Sequence, residues 1–275
     1  MNISKLTYLH CPLSISLATS LRFDEHHSFA IVMATGKGGA RMVTIADIKA
    51  MVAAAPGPLV NGPPLVQGQF LRFDGVLSTY SIHCGWNIQL ANACDDLWGG
   101  FNVQLLEYLA AQREAGVDIT QIMEEVQMDD AHWHWLAKSV HYMSDEYRWF
   151  FLIADDAPQG ACLIYFPKES AIDGQNIFYI EYIATAPWNR HNPMSTRRFR
   201  GVGTILVDLA KDYGVRQLGL RLGYCLHALP RAVPFYESLG MLAFPDRDKD
   251  DLPYFEMPPL APPPLAPAHG VANGL

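Results

Sequence analysis

Residues 197–204 read RRFRGVGT and lead straight into the apolar run ILVDLA. Three arginines and two glycines in front of a hydrophobic segment admit two readings, a cradle for a phosphate or a basic surface turn. Downstream, TILVDLAKDYGV (204–215) has the apolar spacing of an amphipathic helix with a glycine near its end. Upstream, NIFYIEYIATAP (176–187) reads as a long strand rich in Ile and Tyr. Glycines between a strand and a helix let the backbone turn tightly and approach a ligand closely. The first amides of such a helix have no partners inside it, and with the helix dipole they form a seat for an anion such as a pyrophosphate. Nearby arginines would add charge-assisted contacts.

Working outward, VQLLEYLAAQREAG (103–116), DITQIMEEV (118–126) and DDAHWHWLAKSVHYM (129–143) have helical character. EYRWFFLIADD (146–156) and GACLIYFP (160–167) read as two strands around a turn DAPQ (156–159). LGLRLGYC (218–225) is a strand, PRAVPFYESLG (230–240) a short helix closed by Gly240, and LPYFEM (252–257) a last strand. This order predicts an α/β domain with a mixed sheet over 101–257. Residues 1–100 are expected to form an additional α/β region. SFAIVMAT (28–35) reads as a buried strand, and TIADIKAMVAAA (44–55) as a helix capped by Thr44 with Asp47 three residues on. LSTYSIHCGWNIQL (77–90) has strand character. The tail PPLAPPPLAPAHGVANGL (258–275) lacks core-forming residues and is expected to be disordered.

A chain of 275 residues, half of them hydrophobic, can build one large domain or two modest ones. It holds no apolar run of membrane-spanning length, so no membrane partner is expected. Thr7, His10, Ser14 and Ser16 interrupt the N-terminal apolar stretch and argue against a secretory signal. The five cysteines are scattered, with no C-x-x-C pair. That argues against a disulfide framework or a zinc site and for a reducing, cytoplasmic setting; no metal is expected. The net charge of −8 belongs to 101–257, where 14 Lys and Arg face 22 Asp and Glu. Acidity of that kind argues against nucleic-acid binding and favours a cationic partner.

Three local patterns do not carry chemistry. GKGG (36–39) lacks the P-loop spacing and reads as a turn. HCGW (83–86) has no nucleophile context, so Cys84 reads as structural. The histidines of HWHW (132–135) stand two apart and would diverge on a helix, so they cannot share one metal.

Taken together, YIEYIATAP (179–187), RFRGVG (198–203), LRLGYC (220–225) and AVPFYESLGM (232–241) resemble the GNAT family of N-acetyltransferases. RFRGVG matches that family's [QR]-x-x-G-x-[GA] acyl-CoA signature, and AVPFYESLGM its A-x-x-F-Y-x-x-x-G-[FM] segment, in the family's order. The resemblance spans about 101–257. It implies a mixed, mostly antiparallel sheet flanked by helices, with acetyl-CoA as co-substrate and an amine of a small molecule or a protein as acceptor. It implies that Arg198, Arg200, Gly201, Val202, Gly203 and Thr204 hold the pyrophosphate. It further implies that the backbone of Ile183, Ala184 and Thr185 pairs with the pantetheine arm along a splayed strand. Tyr236 would protonate the departing thiolate, and Glu181 would take the amine's proton, with His227 and Tyr224 as further candidates. No cysteine nucleophile is evident, so transfer is expected to be direct. A domain that holds acyl-CoA or a protein partner without turnover is compatible with the same motifs.

Two departures stand out. WNRHNPMST (188–196) lengthens the link between Pro187 and the glycines beside the expected cofactor mouth. Position 229 is Leu where the family often has Asn, which removes one cofactor contact.

Overall fold

The computed structural model describes residues 21–22, 30–33, 41–55, 57–60 and 62–259. The readings of the N-terminal stretch, GKGG and nearly all of the 258–275 tail fall outside them. The chain divides into two units at Gly57/Pro58.

In the first unit, β1 (Leu21–Arg22), β2 (Ala30–Met33) and β3 (Arg41–Thr44) form an antiparallel sheet in chain order. Helix α1 (Ile45–Ala54) follows with the expected start. The Thr44 hydroxyl accepts from the Asp47 amide at 3.1 Å, and the Asp47 carboxylate accepts from the Thr44 amide at 2.9 Å. Such reciprocal capping is worth about 1 kcal/mol.

The second unit has the expected α/β class, with one mixed, mostly antiparallel sheet flanked by helices. Its strands are β4 (Val66–Leu71), β5 (Leu77–Cys84), β6 (Tyr147–Ala154), β7 (Ala157–Glu169), β8 (Asn176–Thr185), β9 (Tyr224–His227), β10 (Leu242–Ala243) and β11 (Tyr254–Glu256). They lie in the order β10-β11-β9-β8-β7-β6-β5-β4. Only β8 and β9 run parallel. The crossover between them carries α5 (Val202–Arg216), because parallel neighbours need a long connection. The remaining helices are α2 (Ile88–Glu114), α3 (Thr120–Glu125), α4 (Trp135–His141) and α6 (Val233–Ser238).

The boundary expected at residue 101 needs correction, since it falls inside α2. The sheet already begins with β4 and with β5, which lies within the 77–90 stretch of strand character. Of the stretch 77–90, only Leu77–Cys84 is strand; Asn87 then caps α2 by accepting from the Leu90 amide at 3.0 Å. Three shorter corrections follow from local chemistry. The helix expected over 129–143 forms only at Trp135–His141, where the Asp95 carboxylate accepts from the Trp135 and Leu136 amides. The β6–β7 turn is Asp155–Asp156, both left-handed at φ 49° and 55°, a conformation Asp tolerates in a two-residue hairpin. The strand expected over 218–225 starts only at Tyr224.

Both faces of the sheet are covered, so β6 is a near-continuous apolar run rather than an alternating one. Phe150, Leu152, Cys162, Phe178 and Ile180 pack with Leu206, Tyr224 and Tyr236 on the α5/α6 face. Trp149, Phe151, Leu163 and Ala184 pack with Trp98 and Trp135 on the α2/α4 face. Close approach of α5 to β7 depends on Gly160, where a Cβ would lie 2.7 Å from Val202 Cγ1 and 2.8 Å from Leu206 Cδ1. The fully buried Glu256 pairs with Arg221 at 3.0 Å and accepts from Ser170 and the Ala171 amide. This satisfied carboxylate stands by the start of β8.

Candidate functional site

Strands β8 and β9 pair only through Phe178–Tyr224, Tyr179–Cys225 and Ile180–Leu226. Beyond that point β8 follows β7 to Thr185, while β9 follows β11 to His227. A register shift in the β7–β8 ladder marks where they part: Leu163 faces Tyr182 and Ile164 faces Ile180, leaving Glu181 as the extra residue of a bulge. Past the bulge, the Ala186 amide donates to the Gln159 carbonyl at 2.9 Å, and Thr185 stands opposite Gly160. Antiparallel alternation then turns the polar groups of Ala184 towards β7 and those of Ile183 and Thr185 away from it, into the gap. Consistent with this, the Thr185 carbonyl accepts from Arg190 Nε at 3.0 Å and Nη2 at 2.6 Å.

The glycine turn abuts this splayed edge. Gly201 caps α5 in the left-handed region at φ 73°, a conformation that suits glycine. The first α-helical bond runs from the Ile205 amide to the Gly201 carbonyl, so the amides of Val202, Gly203 and Thr204 precede the internal ladder. Gly203 is different from Gly201. An added Cβ there would meet only Thr185 Cγ2, at an ordinary 3.6 Å. The protein's own packing does not demand glycine at 203.

The arginines divide differently from the expectation. Arg197 and Arg200 lie over the ring of Phe73, at 4.5 and 4.2 Å from its centroid. Phe73 sits in the β4–β5 turn, and its amide donates to the Arg198 carbonyl at 3.1 Å. A cleft of about 340 Å³ is lined by Phe73, Asn189, Arg197, Phe199, Arg200 and Gly201. A second, of about 520 Å³, shares Phe73 and Arg197 and extends along 191–196. Among the described residues no carboxylate lines either cleft. Arg198 lines neither and lies over the Trp188 ring at 5.4 Å. The sequence reading missed Phe73, which stands more than a hundred residues before the signature and belongs to a hairpin tip that only the tertiary fold brings there.

The 188–196 segment is anchored at its start. The fully buried Gln159 accepts from Trp188 Nε1 at 2.8 Å and from Asn189 Nδ2 at 3.1 Å. Arg190 forms a two-pronged pair with Asp130 and also donates to the Gln127 carbonyl. Arg231, just beyond β9, donates to the Val126 carbonyl at 2.6 Å. Residues 126–130 are thus tied on one side to the end of β8 and on the other to the end of β9.

Tyr236 and Glu181 lie on opposite faces of the sheet. Tyr236, on α6, is buried in the α5/α6 core. Burial, with the nearby Cys162 thiol, pushes its phenol up to about 12. Cys162 faces Ile183 in the register, which places Tyr236 at the level of the splayed residues. Glu181 accepts from the Tyr142 hydroxyl at 3.3 Å, on the α4 side. Tyr182, Trp133 and Lys138 complete that neighbourhood. Lys138 Nζ lies 3.4 Å from the Tyr182 ring centroid and 5.4 Å from that of Trp133. Burial lowers the Lys138 ammonium to about 8, a shift that the negative charges of Glu181 and Asp95 oppose.

The two further candidates, His227 and Tyr224, lie at the two ends of β9. His227 Nε2 lies 2.9 Å from the Arg247 carbonyl, so that nitrogen carries the proton, and Nδ1 faces the Tyr179 hydroxyl at 2.7 Å. Tyr224 is almost fully buried, and desolvation first, then the neighbouring Tyr236, pushes its phenol up. Burial likewise raises the thiols of Cys84, Cys94, Cys162 and Cys225. Among the described residues no cluster of His, Cys, Asp or Glu could hold a metal, and no helix is long and apolar enough to cross a membrane.

No family model matches the chain, and no curated protein does. Among solved structures, the chain is similar over part of its length to GNAT-family acetyltransferases. One is from Desulfovibrio desulfuricans, at 17% identity over 65% of this chain and 98% of that one, with a TM-score of 0.39. Another is the GNAT domain of the S. lividans protein PAT, at 9% identity over 72% and 99%, with a TM-score of 0.41. A third is the PaiA N-acetyltransferase of Thermoplasma acidophilum in complex with coenzyme A, at 13% identity over 64% and 97%, with a TM-score of 0.37.

Proposed function

We propose that the protein transfers an acetyl group from acetyl-CoA directly to an amine. The observation that carries this reading is the junction of Gly203 with Thr185. There the opening amides of α5 meet the β8 edge whose polar groups face the gap. A pyrophosphate at Val202–Thr204, flanked by Arg197 and Arg200, would let the pantetheine arm run along Ile183 and Thr185 as an added strand. The thioester carbonyl would then lie within reach of an Ile183 amide donor, which stabilises the developing oxyanion.

In this reading Glu181 takes the proton of the attacking amine from the α4 side, and Tyr236 gives its proton to the thiolate from the α6 side. A phenol at about 12 stays protonated in neutral solution, as an acid must. The raised thiols support direct transfer over an acyl-cysteine intermediate. Arg190 already occupies the Thr185 carbonyl, so the arm would use the Thr185 amide and the Ile183 groups.

The test is release of coenzyme A from acetyl-CoA across a panel of amines, for wild type and Tyr236→Phe. The expected result is turnover in the wild type, at least about 100-fold slower in the variant, with acetyl-CoA raising the melting temperature of both. Ligand-induced stabilisation without turnover of any amine in either protein would instead leave a binding module.

A further inference from the structure

Lys138 is an amine of the chain itself that lies against β8, the strand of the proposed acyl site. It projects from α4, and its Nζ rests 3.4 Å from the centroid of Tyr182, the residue between the bulged Glu181 and the gap-facing Ile183. Trp133 flanks it at 5.4 Å. Tyr142, whose hydroxyl donates to Glu181 at 3.3 Å, also places that hydroxyl 3.4 Å from that of Tyr182. The ring faces of Tyr182 and Trp133 hold the ammonium by cation–π attraction, within the field of the Glu181 carboxylate. The stem of a lysine is long and flexible, and Ile183 is one strand residue, about 3.3 Å, beyond Tyr182.

We infer that Lys138 is an acetylation site of this protein, modified by its own bound acetyl-CoA. This inference rests on the acetyltransferase reading above. The neutral Lys138 Nζ attacks the thioester carbonyl carbon. The N–C bond forms and the C–S bond breaks. Glu181 accepts the proton lost by nitrogen, and the coenzyme thiolate takes the proton of Tyr236, which solvent replaces. Acetyl-lysine and free coenzyme A are the products, with no change of oxidation state.

The environment favours the reactive form. Facing Lys138 are the carboxylates of Glu181 and Asp95, which favour its charge, and the rings of Trp133 and Tyr182, which desolvate it. Desolvation dominates and sets the amine at about 8. About a tenth of it is then neutral at pH 7, against less than about one part in a thousand for an ordinary lysine.

The test uses the full chain, incubated with acetyl-CoA at pH 7.5 and followed by intact mass and peptide mapping. The expected result is one added acetyl group, on Lys138, gained at least about tenfold faster than on the exposed Lys249. Glu181→Gln slows it, and Lys138→Arg abolishes it while acetyl-CoA still raises the melting temperature. Equal rates at Lys138 and Lys249, or a Glu181→Gln variant as fast as wild type, would overturn the inference. If acetyl-CoA stabilises the chain and external amines are acetylated but Lys138 is not, this inference alone fails. If acetyl-CoA neither binds nor reacts with any amine, the acetyltransferase reading fails with it.

Discussion

Tyr236 and Glu181 share a strand level but not a face, and this division shapes what each can do. Tyr236 is buried among apolar neighbours, and its phenol sits at about 12. Its ionisation therefore cannot cut the rate below pH 10, and the pH–rate profile is expected to lack a falling limb from pH 8 to 10. Glu181 was legible as an oddity, a carboxylate in an apolar strand. The sequence could not show that it is the extra residue of a bulge, because a bulge is a property of two paired strands. Arg197 had no assigned role, since nothing in the local sequence marks it as the partner of Phe73. Arg197→Ala is expected to raise the KM for acetyl-CoA about tenfold, with little change in melting temperature, because the side chain is exposed and its ring contact is worth about 1 kcal/mol. Steady-state kinetics with varied acetyl-CoA checks this; an unchanged KM would remove Arg197 from the phosphate seat.

At the scale of elements, the two glycines before α5 make separable predictions. Gly201 lies at positive φ, so Gly201→Ala costs about 1 kcal/mol of stability whatever it does to binding. Gly203 lies in α5, and an added Cβ would make only an ordinary contact with Thr185 Cγ2 at 3.6 Å, so Gly203→Ala should keep or raise stability by about 0.5 kcal/mol. It should still weaken acetyl-CoA binding at least about tenfold, because a methyl group would stand where the pyrophosphate approaches. Denaturant melts and calorimetric titration of the same sample separate the two effects. The strand–glycine turn–helix unit was readable because its signals are local: apolar periodicity, glycine placement and the later F-Y segment. The β4–β5 hairpin and the start of α2 were not, because LSTYSIHCGWNIQL joins a strand to a helix with no proline between them. The sequence shows the 188–196 segment only as a longer link, whereas in the fold Gln159 and Asp130 anchor its start through Trp188, Asn189 and Arg190. Asp130→Asn breaks the two-pronged pair with Arg190, which is mostly shielded from solvent, and should lower stability by about 3 kcal/mol in denaturant melts.

On the scale of the whole molecule, the sheet needs β4 and β5, so a fragment beginning at 58 should fold and one beginning at 101 should not. Circular dichroism melts of the two fragments decide this, and a cooperative transition in 101–275 would contradict the eight-stranded sheet. The fold also stores its phenols in neutral form. Tyr224, Tyr236 and Tyr254 are buried, and desolvation is the main reason each is raised above the usual value. A group raised in the folded state contributes its full stability below the unfolded value of about 10 and loses it as the pH climbs through the folded value. The melting temperature is thus expected to be insensitive to these groups up to about pH 9 and to fall steeply beyond 10. All of this architecture converges on one claim, that the mouth between β8 and β9 beside the α5 N-terminus seats acetyl-CoA. Calorimetric titration of the full chain with acetyl-CoA tests it most directly. Saturable one-to-one binding and a matching rise in melting temperature are expected, whereas no heat and no rise at millimolar acetyl-CoA would overturn the assignment.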